Sequence, residues 1–336
     1  PAPPDMIPRL VTHLLTIIAF MNHAHAATWE KLPPLPEPNG GCMAGCVGGK
    51  IIVVGGTNWR DDMKRWLDTV RVFDPATKQW AIGPSLPHPL AYAAFASDGA
   101  RLYMAGGADG KRARREVYGL DANLKLVHIG DLPMPVVFAG GALQGGRLAV
   151  FGGTPDPDDW SKVTADLHAV NLTNGIISPR TPLTGLSHGV GIPAVAVAGG
   201  GLSTFTGAWL DPASQQVRNV AAAFTFDFAS NSWRPVAPYP KPARGVSAVA
   251  LDDSHIYLAG GHGTDAEGFL STAFIYNASK DRHTPALPLP LAGMTCLVRC
   301  GEFVYALGGE DRKKHRSDAC FRIRAAELLG ETQPKL

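Results

Sequence analysis

The chain has 336 residues, 45% of them hydrophobic and 18% charged, with a formal net charge of +2. That balance supports a large core, and its two short basic runs, Lys111 to Arg115 and Arg312 to Arg316, are not interleaved with aromatics, which argues against nucleic acid as a partner. The 38 glycines and 28 prolines follow no collagen-like period and fit many short strands joined by tight turns.

In chain order, the first element is a targeting pattern. Met6-Ile7-Pro8-Arg9 is a small positive n-region, Leu10 to Met21 is an apolar stretch short for a membrane span, and Ala24-His25-Ala26 is an A-x-A cleavage site. Residues 1–26 therefore read as a signal peptide, with a buried strand or a membrane anchor as the alternative. Pro1 to Asp5 precede the methionine and read as a scar or a mis-assigned start. The mature chain is expected to begin at Ala27, outside the membrane, in the bacterial periplasm or secreted.

Six of the Gly-Gly pairs recur at intervals near 50 residues: Gly55-Gly56, Gly106-Gly107, Gly152-Gly153, Gly199-Gly200, Gly260-Gly261 and Gly308-Gly309. Each is expected to close an apolar strand such as Ile51 to Val54. Proline-rich links recur in phase, at Pro33 to Pro36, Pro87 to Pro89, Pro133 to Pro135, Pro179 to Pro182, Pro235 to Pro242 and Pro285 to Pro290. Proline lacks a ladder donor, so these links mark boundaries. A strand-built period near 50 residues is the signature of an all-β, six-bladed kelch-type β-propeller over residues 27–336. Within a repeat, Val72-Phe73-Asp74-Pro75-Ala76-Thr77-Lys78-Gln79-Trp80 predicts a strand, a tight turn, and an outer strand whose Trp packs between blades. The segment at Trp29 to Pro33 resembles an outer strand without a blade, and the last repeat lacks one. The N-terminal segment is therefore expected to latch the ring and remove its sheet edge.

Cys42-x3-Cys46 and Cys296-x3-Cys300 occupy corresponding strands of the first and last blades. A bridge between blades is conceivable, but buried cysteine used as a small apolar residue is the preferred reading, for Cys320 as well. The x3 spacing does not make a zinc knuckle, and Asp156, Asp158 and Asp159 lack the rest of a calcium ligand set. No metal and no cofactor is expected.

Chemistry on a propeller belongs to the loops round the channel. The strongest candidate is Gly308 to Ala319, where Glu310 and Arg316 flank a turn between paired strands. Arginine can grip a ligand carboxylate with two hydrogen bonds, and an ionised glutamate beside it can accept a proton. A run of charge in a solvated loop is the bland alternative. His188, Arg244, His262, Asn58 and Trp59 are further candidates for touching ligand, each with a structural reading beside it: a satisfied histidine, a tether, an inter-blade Trp.

The segment Gly309-Glu310-x5-Arg316-Ser317-Asp318-Ala319 is similar to the Gly-Glu-x5-Arg-Thr-Asp-Ala segment of the kelch-type sialic acid mutarotases (N-acetylneuraminate epimerases). Gly55-Gly56-Thr57-Asn58-Trp59, Lys64 to Asp68 and Leu86 to Tyr92 resemble the cyclically permuted members of that family. The resemblance implies Glu310 as proton acceptor, Arg316 as substrate binder, an acidic sugar as small-molecule partner, and anomer interconversion as the activity. Lys313-Lys314-His315 replaces the family's Pro-Gly before the arginine, which leaves the sugar open. A non-catalytic kelch module that binds glycan or protein, and another sugar-active enzyme acting on uronic acids, are the alternatives.

Overall fold

Each apolar run becomes the second strand of a four-stranded antiparallel sheet, and six such sheets form the blades of a β-propeller. The computed structural model describes residues 27–330; the targeting segment 1–26 lies outside the described residues. Blade one uses Met43–Val47, Lys50–Val54, Val70–Asp74 and Gln79–Ile82. Blades two to five repeat the order, their inner strands being Ala94–Ser97, Gly140–Gln144, Ala194–Ala198 and Ser247–Ala250. Blade six has Met294–Cys300, Phe303–Arg312 and His315–Arg324, and its outer strand is Glu30–Leu32 from the N-terminal segment. Glu30 pairs with Arg322 and Leu32 with Cys320, so the ends of the chain latch the ring as expected.

The runs are continuously apolar because both faces of each blade are covered. Side chains alternate across a strand, so Ile51 and Val53 enter the core between blades six and one, while Ile52 and Val54 enter the core between blades one and two. Ile256 and Leu258 face blade four, and Tyr257 and Ala259 face blade six. The outer-strand tryptophans reach back to the preceding blade. Trp80 Nε1 donates to the Pro33 carbonyl at 3.1 Å, Trp233 lies 5.1 Å from Phe151 of blade three, and Trp29 Nε1 donates to the Pro288 carbonyl at 3.0 Å.

Two expectations need correcting. Gly199-Gly200 does not close a strand; it is the two-residue turn between Ala194–Ala198 and Gly201–Phe205, with φ of 60° and 75° at the two glycines. Two successive positive-φ residues are what a tight hairpin of matching twist requires. The strand-closing pair of blade four is Thr206-Gly207, at φ 56° and 112°. The cysteine reading also changes. Cys46 and Cys300 form a disulfide between the inner strands of blades one and six, with their Cα atoms 5.2 Å apart across a sequence separation of 254 residues. Ring closure brings the first and last inner strands side by side, which the apolar-cysteine reading did not anticipate. Cys42, Cys296 and Cys320 remain thiols in the same inter-blade cluster, and burial pushes the Cys320 thiol up to about 12.

Candidate functional site: the channel mouth

The six inner strands surround a cavity of about 870 Å³ on the propeller axis. Its wall is mostly small and apolar, with Ala44, Ala96, Ala142, Ala196 and Ala248 facing inward where the strands converge. Polar chemistry is concentrated at the end where the inner strands begin.

That end is bounded by a girdle of backbone. Gly41, Tyr92, Phe138, Ile192 and Gly245, one from each of blades one to five, all have φ between 53° and 68°. Tyr92 N–H donates to the Gly41 carbonyl (2.8 Å), Phe138 to Tyr92 (3.1 Å), Ile192 to Phe138 (2.7 Å) and Gly245 to Ile192 (3.4 Å). The left-handed conformation is cheap for Gly41 and Gly245 and strained for the other three. The girdle does not continue onto blade six. There the inner strand pairs Met294 with Glu310, and a bulge lies between Met294 and Cys296.

Blade six fills this gap with an extended hairpin rather than a loop. Its strands run on through Glu310 to Arg312 and restart at His315, turning at Lys313-Lys314, with Lys314 at φ 56°. Irregular register on either side of the Gly309–Ser317 pair re-aims the side chains. Arg316 Nη1 stands 3.1 Å from Glu310 Oε1, and both residues line the cavity. The Arg316 side chain is only 4% exposed, against 26% for Glu310. Three further contacts hold the guanidinium, leaving one Nη2 hydrogen without an assigned partner. Nη1 also donates to the His315 carbonyl (3.0 Å), Nε reaches Thr57 Oγ1 (3.4 Å) and Nη2 reaches the Tyr92 hydroxyl (3.4 Å). The arginine therefore presents no free fork to the cavity. Gly40 makes this packing possible, since a Cβ there would lie 2.3 Å from Arg316 Cδ.

Blade one supplies the facing wall through a hairpin, Thr57–Arg60 with Met63–Trp66, in which Trp59 pairs with Lys64. Both side chains line the cavity. Lys64 Nζ sits 4.8 Å from the ring centroids of both Trp66 and Tyr92, a cation–π arrangement. Lys314 Nζ lies 5.7 Å from the Trp59 ring. Thr57 is fully buried, and its Oγ1 is 3.0 Å from the Tyr92 hydroxyl. Burial would push the Tyr92 phenol up, but the charges of Lys64 and Arg316 and the Thr57 hydrogen bond outweigh it and hold the phenol below its usual value.

Of the residues singled out in the sequence, Glu310, Arg316 and Trp59 meet at this cavity and the other four stand outside its lining. Asn58 precedes Trp59 on the hairpin, its Oδ1 buried without a partner. His188 Nδ1 donates to the Gly189 carbonyl (2.9 Å), and the ring stacks on Trp209 at 4.1 Å, near-parallel. His262 contacts the Gly263 carbonyl (3.0 Å) and packs edge-on to Phe269. Arg244 donates to Asn219 Oδ1 (3.1 Å) and lies 4.0 Å from Asp265. Burial lowers its pKa, opposed by the charges of Asp265 and Glu310. Tyr92 and Lys64 were not among the site candidates, although both lie in segments that carry the family resemblance. The available signal was Tyr92 at the head of an inner strand, where blades one and five carry glycine. Among the described residues, no three His, Cys, Asp or Glu side chains gather as a metal-ligand group.

Comparison with known proteins agrees with the architecture. Residues 38–87 match the Kelch motif. The chain is 26% identical over 259 residues to Kelch-like protein terF of Aspergillus terreus, an alignment covering 71% of this chain and 53% of that protein. It is 27% identical over 295 residues to Kelch-like protein 35 of Mus musculus, covering 85% and 46%. The chain thus spans about half the length of these two relatives. It is also 32% identical over 117 residues to the N-acetylneuraminate epimerase of Brucella melitensis, covering 28% of this chain and 30% of that protein. The chain is a six-bladed β-propeller that carries a Kelch motif and has partial likeness to an epimerase.

Proposed function

We propose that this kelch propeller is a mutarotase that interconverts the anomers of an acidic sugar, with N-acetylneuraminic acid as the substrate. The observation that carries the reading is the Glu310–Arg316 pair, 3.1 Å apart and lining an axial cavity large enough for a sugar. Glu310 takes the proton of the anomeric hydroxyl as the ring opens, and returns it when the ring closes on the other face. Arg316 orients the carboxylate of Glu310, and together with Lys64 it makes this wall cationic toward the sugar's own carboxylate. Trp59 offers a ring face to the sugar.

The spontaneous reaction is already fast, so a barrier lowering of roughly 3–6 kcal/mol suffices, within the range of an acid–base pair contributing about 10²–10⁴-fold. The partial likeness to N-acetylneuraminate epimerases supports the choice of sugar. The Cys46–Cys300 disulfide supports an exported, periplasmic or secreted protein. The test is NMR anomer exchange of N-acetylneuraminic acid with wild type and Glu310→Gln. Loss of acceleration in the variant is expected. Sugar binding without exchange in wild type leaves a glycan-binding module, and release of an unsaturated product indicates a lyase.

A further inference from the structure

Anomer interconversion of a hemiketal needs two proton transfers at one carbon. One removes the proton of the anomeric hydroxyl, and the other delivers a proton to the ring oxygen. Glu310 serves the first. The histidines that sequence reading offered for the second, His188 and His262, do not line the cavity.

We propose that Tyr92 is the second proton-transfer residue, its hydroxyl protonating the ring oxygen while Glu310 deprotonates the anomeric hydroxyl. This rests on the mutarotase reading and deepens it. Three observations converge on Tyr92. It lines the same cavity as Glu310. Its hydroxyl is held by Arg316, the guanidinium that also holds Glu310: Nη1 is 3.1 Å from Glu310 Oε1, and Nη2 is 3.4 Å from the phenol oxygen. One guanidinium thus contacts both groups, Glu310 through Nη1 and Tyr92 through Nη2. The third observation is positional. Tyr92 occupies a girdle site at φ 59°, where Gly41 and Gly245 serve at less cost. A Cβ on Gly41 would lie 2.2 Å from the Tyr92 ring, so that glycine clears the space the ring fills.

The charged groups at the phenol come from two elements. Lys64, on the blade-one hairpin, lies 4.8 Å from its ring centroid; Arg316, itself paired with Glu310, comes from blade six. Trp66 and Phe138 flank the ring at 5.6 and 5.0 Å and carry no charge. Both cations favour phenolate, and the Thr57 hydroxyl, which donates to the Gly40 carbonyl, lies 3.0 Å from the phenol oxygen.

The step balances as follows. Glu310 accepts the hydroxyl proton, the C–O bond to the ring oxygen breaks with its electron pair going to that oxygen, and the oxygen takes the Tyr92 proton. The open-chain 2-keto acid then rotates about the bond next to its carbonyl. On closure the sugar hydroxyl attacks the opposite carbonyl face and returns its proton to Tyr92, while Glu310 protonates the new anomeric oxygen. No net proton is gained or lost.

The experiment measures N-acetylneuraminic acid anomer exchange by NMR from pH 6 to 10 for wild type, Tyr92→Phe and Lys64→Met, with sugar affinity measured calorimetrically alongside. Tyr92→Phe is expected to lose about 10²-fold in exchange while still binding the sugar. The wild-type rate is expected to fall as pH rises toward the ordinary tyrosine value of 10.0, as the phenol loses its proton. That alkaline limb should vanish in Tyr92→Phe and move to higher pH in Lys64→Met, a readout a merely structural tyrosine would not move. Wild-type exchange retained in Tyr92→Phe overturns the Tyr92 assignment alone. If Tyr92→Phe does not fold, an alkaline limb left unmoved by Lys64→Met overturns it instead. Wild-type protein that accelerates no exchange overturns the mutarotase reading and this assignment together.

Discussion

Blade two and blade six each set an arginine near the start of the third strand, and the two arginines are used differently. Arg114, in blade two, lies 3.1 Å from Asp109 and 2.6 Å from Glu116, and its Nη2 is also 3.1 Å from His88 Nε2. Burial alone would raise both carboxylates, but backbone N–H groups and Arg114 hold them below their usual values. Arg114 and its two carboxylates satisfy one another within the blade, and none of these residues lines the cavity. Arg316, in blade six, has a single carboxylate, gives its other donors to neutral oxygens, and reaches the cavity. The two blades also differ in how they are made. Blade two is one continuous stretch, whereas blade six borrows its outer strand from the N-terminal segment and is bridged by Cys46–Cys300 to blade one. The blade-two cluster closes on itself, whereas the blade-six pair opens on the cavity.

The strongest way to break this contrast is Glu310→Gln, expected to lower anomer exchange by about 10²–10⁴-fold; equal rates would remove Glu310 from the chemistry. Replacing Cys46 and Cys300 with serine should cost about 4 kcal/mol by denaturant unfolding, because the bridge closes a loop of 254 residues. Arg114→Ala should cost about 3 kcal/mol, since it leaves two half-covered carboxylates without their cation. Exchange by the folded Arg114→Ala protein should stay at the wild-type rate, and a collapse there would erase the distinction between the two arginines.

Gly40→Ala probes the blade-six arrangement from behind. Its Cβ would press on Arg316 Cδ and Nε, so exchange should fall about 10-fold, at a cost of about 1 kcal/mol in stability. The smallest effect belongs to the latch. Glu30 is held below its usual 4.5 first by its hydrogen bond to Arg322 and then by the one to Lys78. A carboxylate lowered on folding stabilises above its unfolded value and loses that contribution as pH falls through its folded one. Glu30→Gln should therefore cost about 0.5 kcal/mol or less at pH 7, because the pair is exposed. The difference from wild type should shrink as the pH falls below 4.5.

Much of the wheel was readable from the chain, and particular residues show why. Ile51 to Val54 reads as a strand covered on both faces, and the structure divides it between two inter-blade cores. Trp29 without a blade foretold the latch. The fourth repeat misled because a Gly-Gly turn inside a hairpin looks the same in sequence as the pair that closes a strand; Thr206 adopts the positive φ instead. At the site, the spacing of Glu310 and Arg316 was readable because they belong to one hairpin. That His188 and His262 do not line the cavity was not, since strand phase does not say which side chains reach the axis.

The sequence by itself determined the repeat, the blade boundaries and the pairing of the ends. These follow from local physics: alternation across a strand, glycine where φ is positive, and proline where no ladder donor is needed. Only the tertiary structure decided who meets at the mouth. Arg316 touches Thr57 from 259 residues away and Tyr92 from 224, and Cys300 bonds Cys46 across 254. Those contacts exist because closing the ring puts the last blade beside the first, and closure is a property of the whole circle of packed sheets rather than of any segment in it.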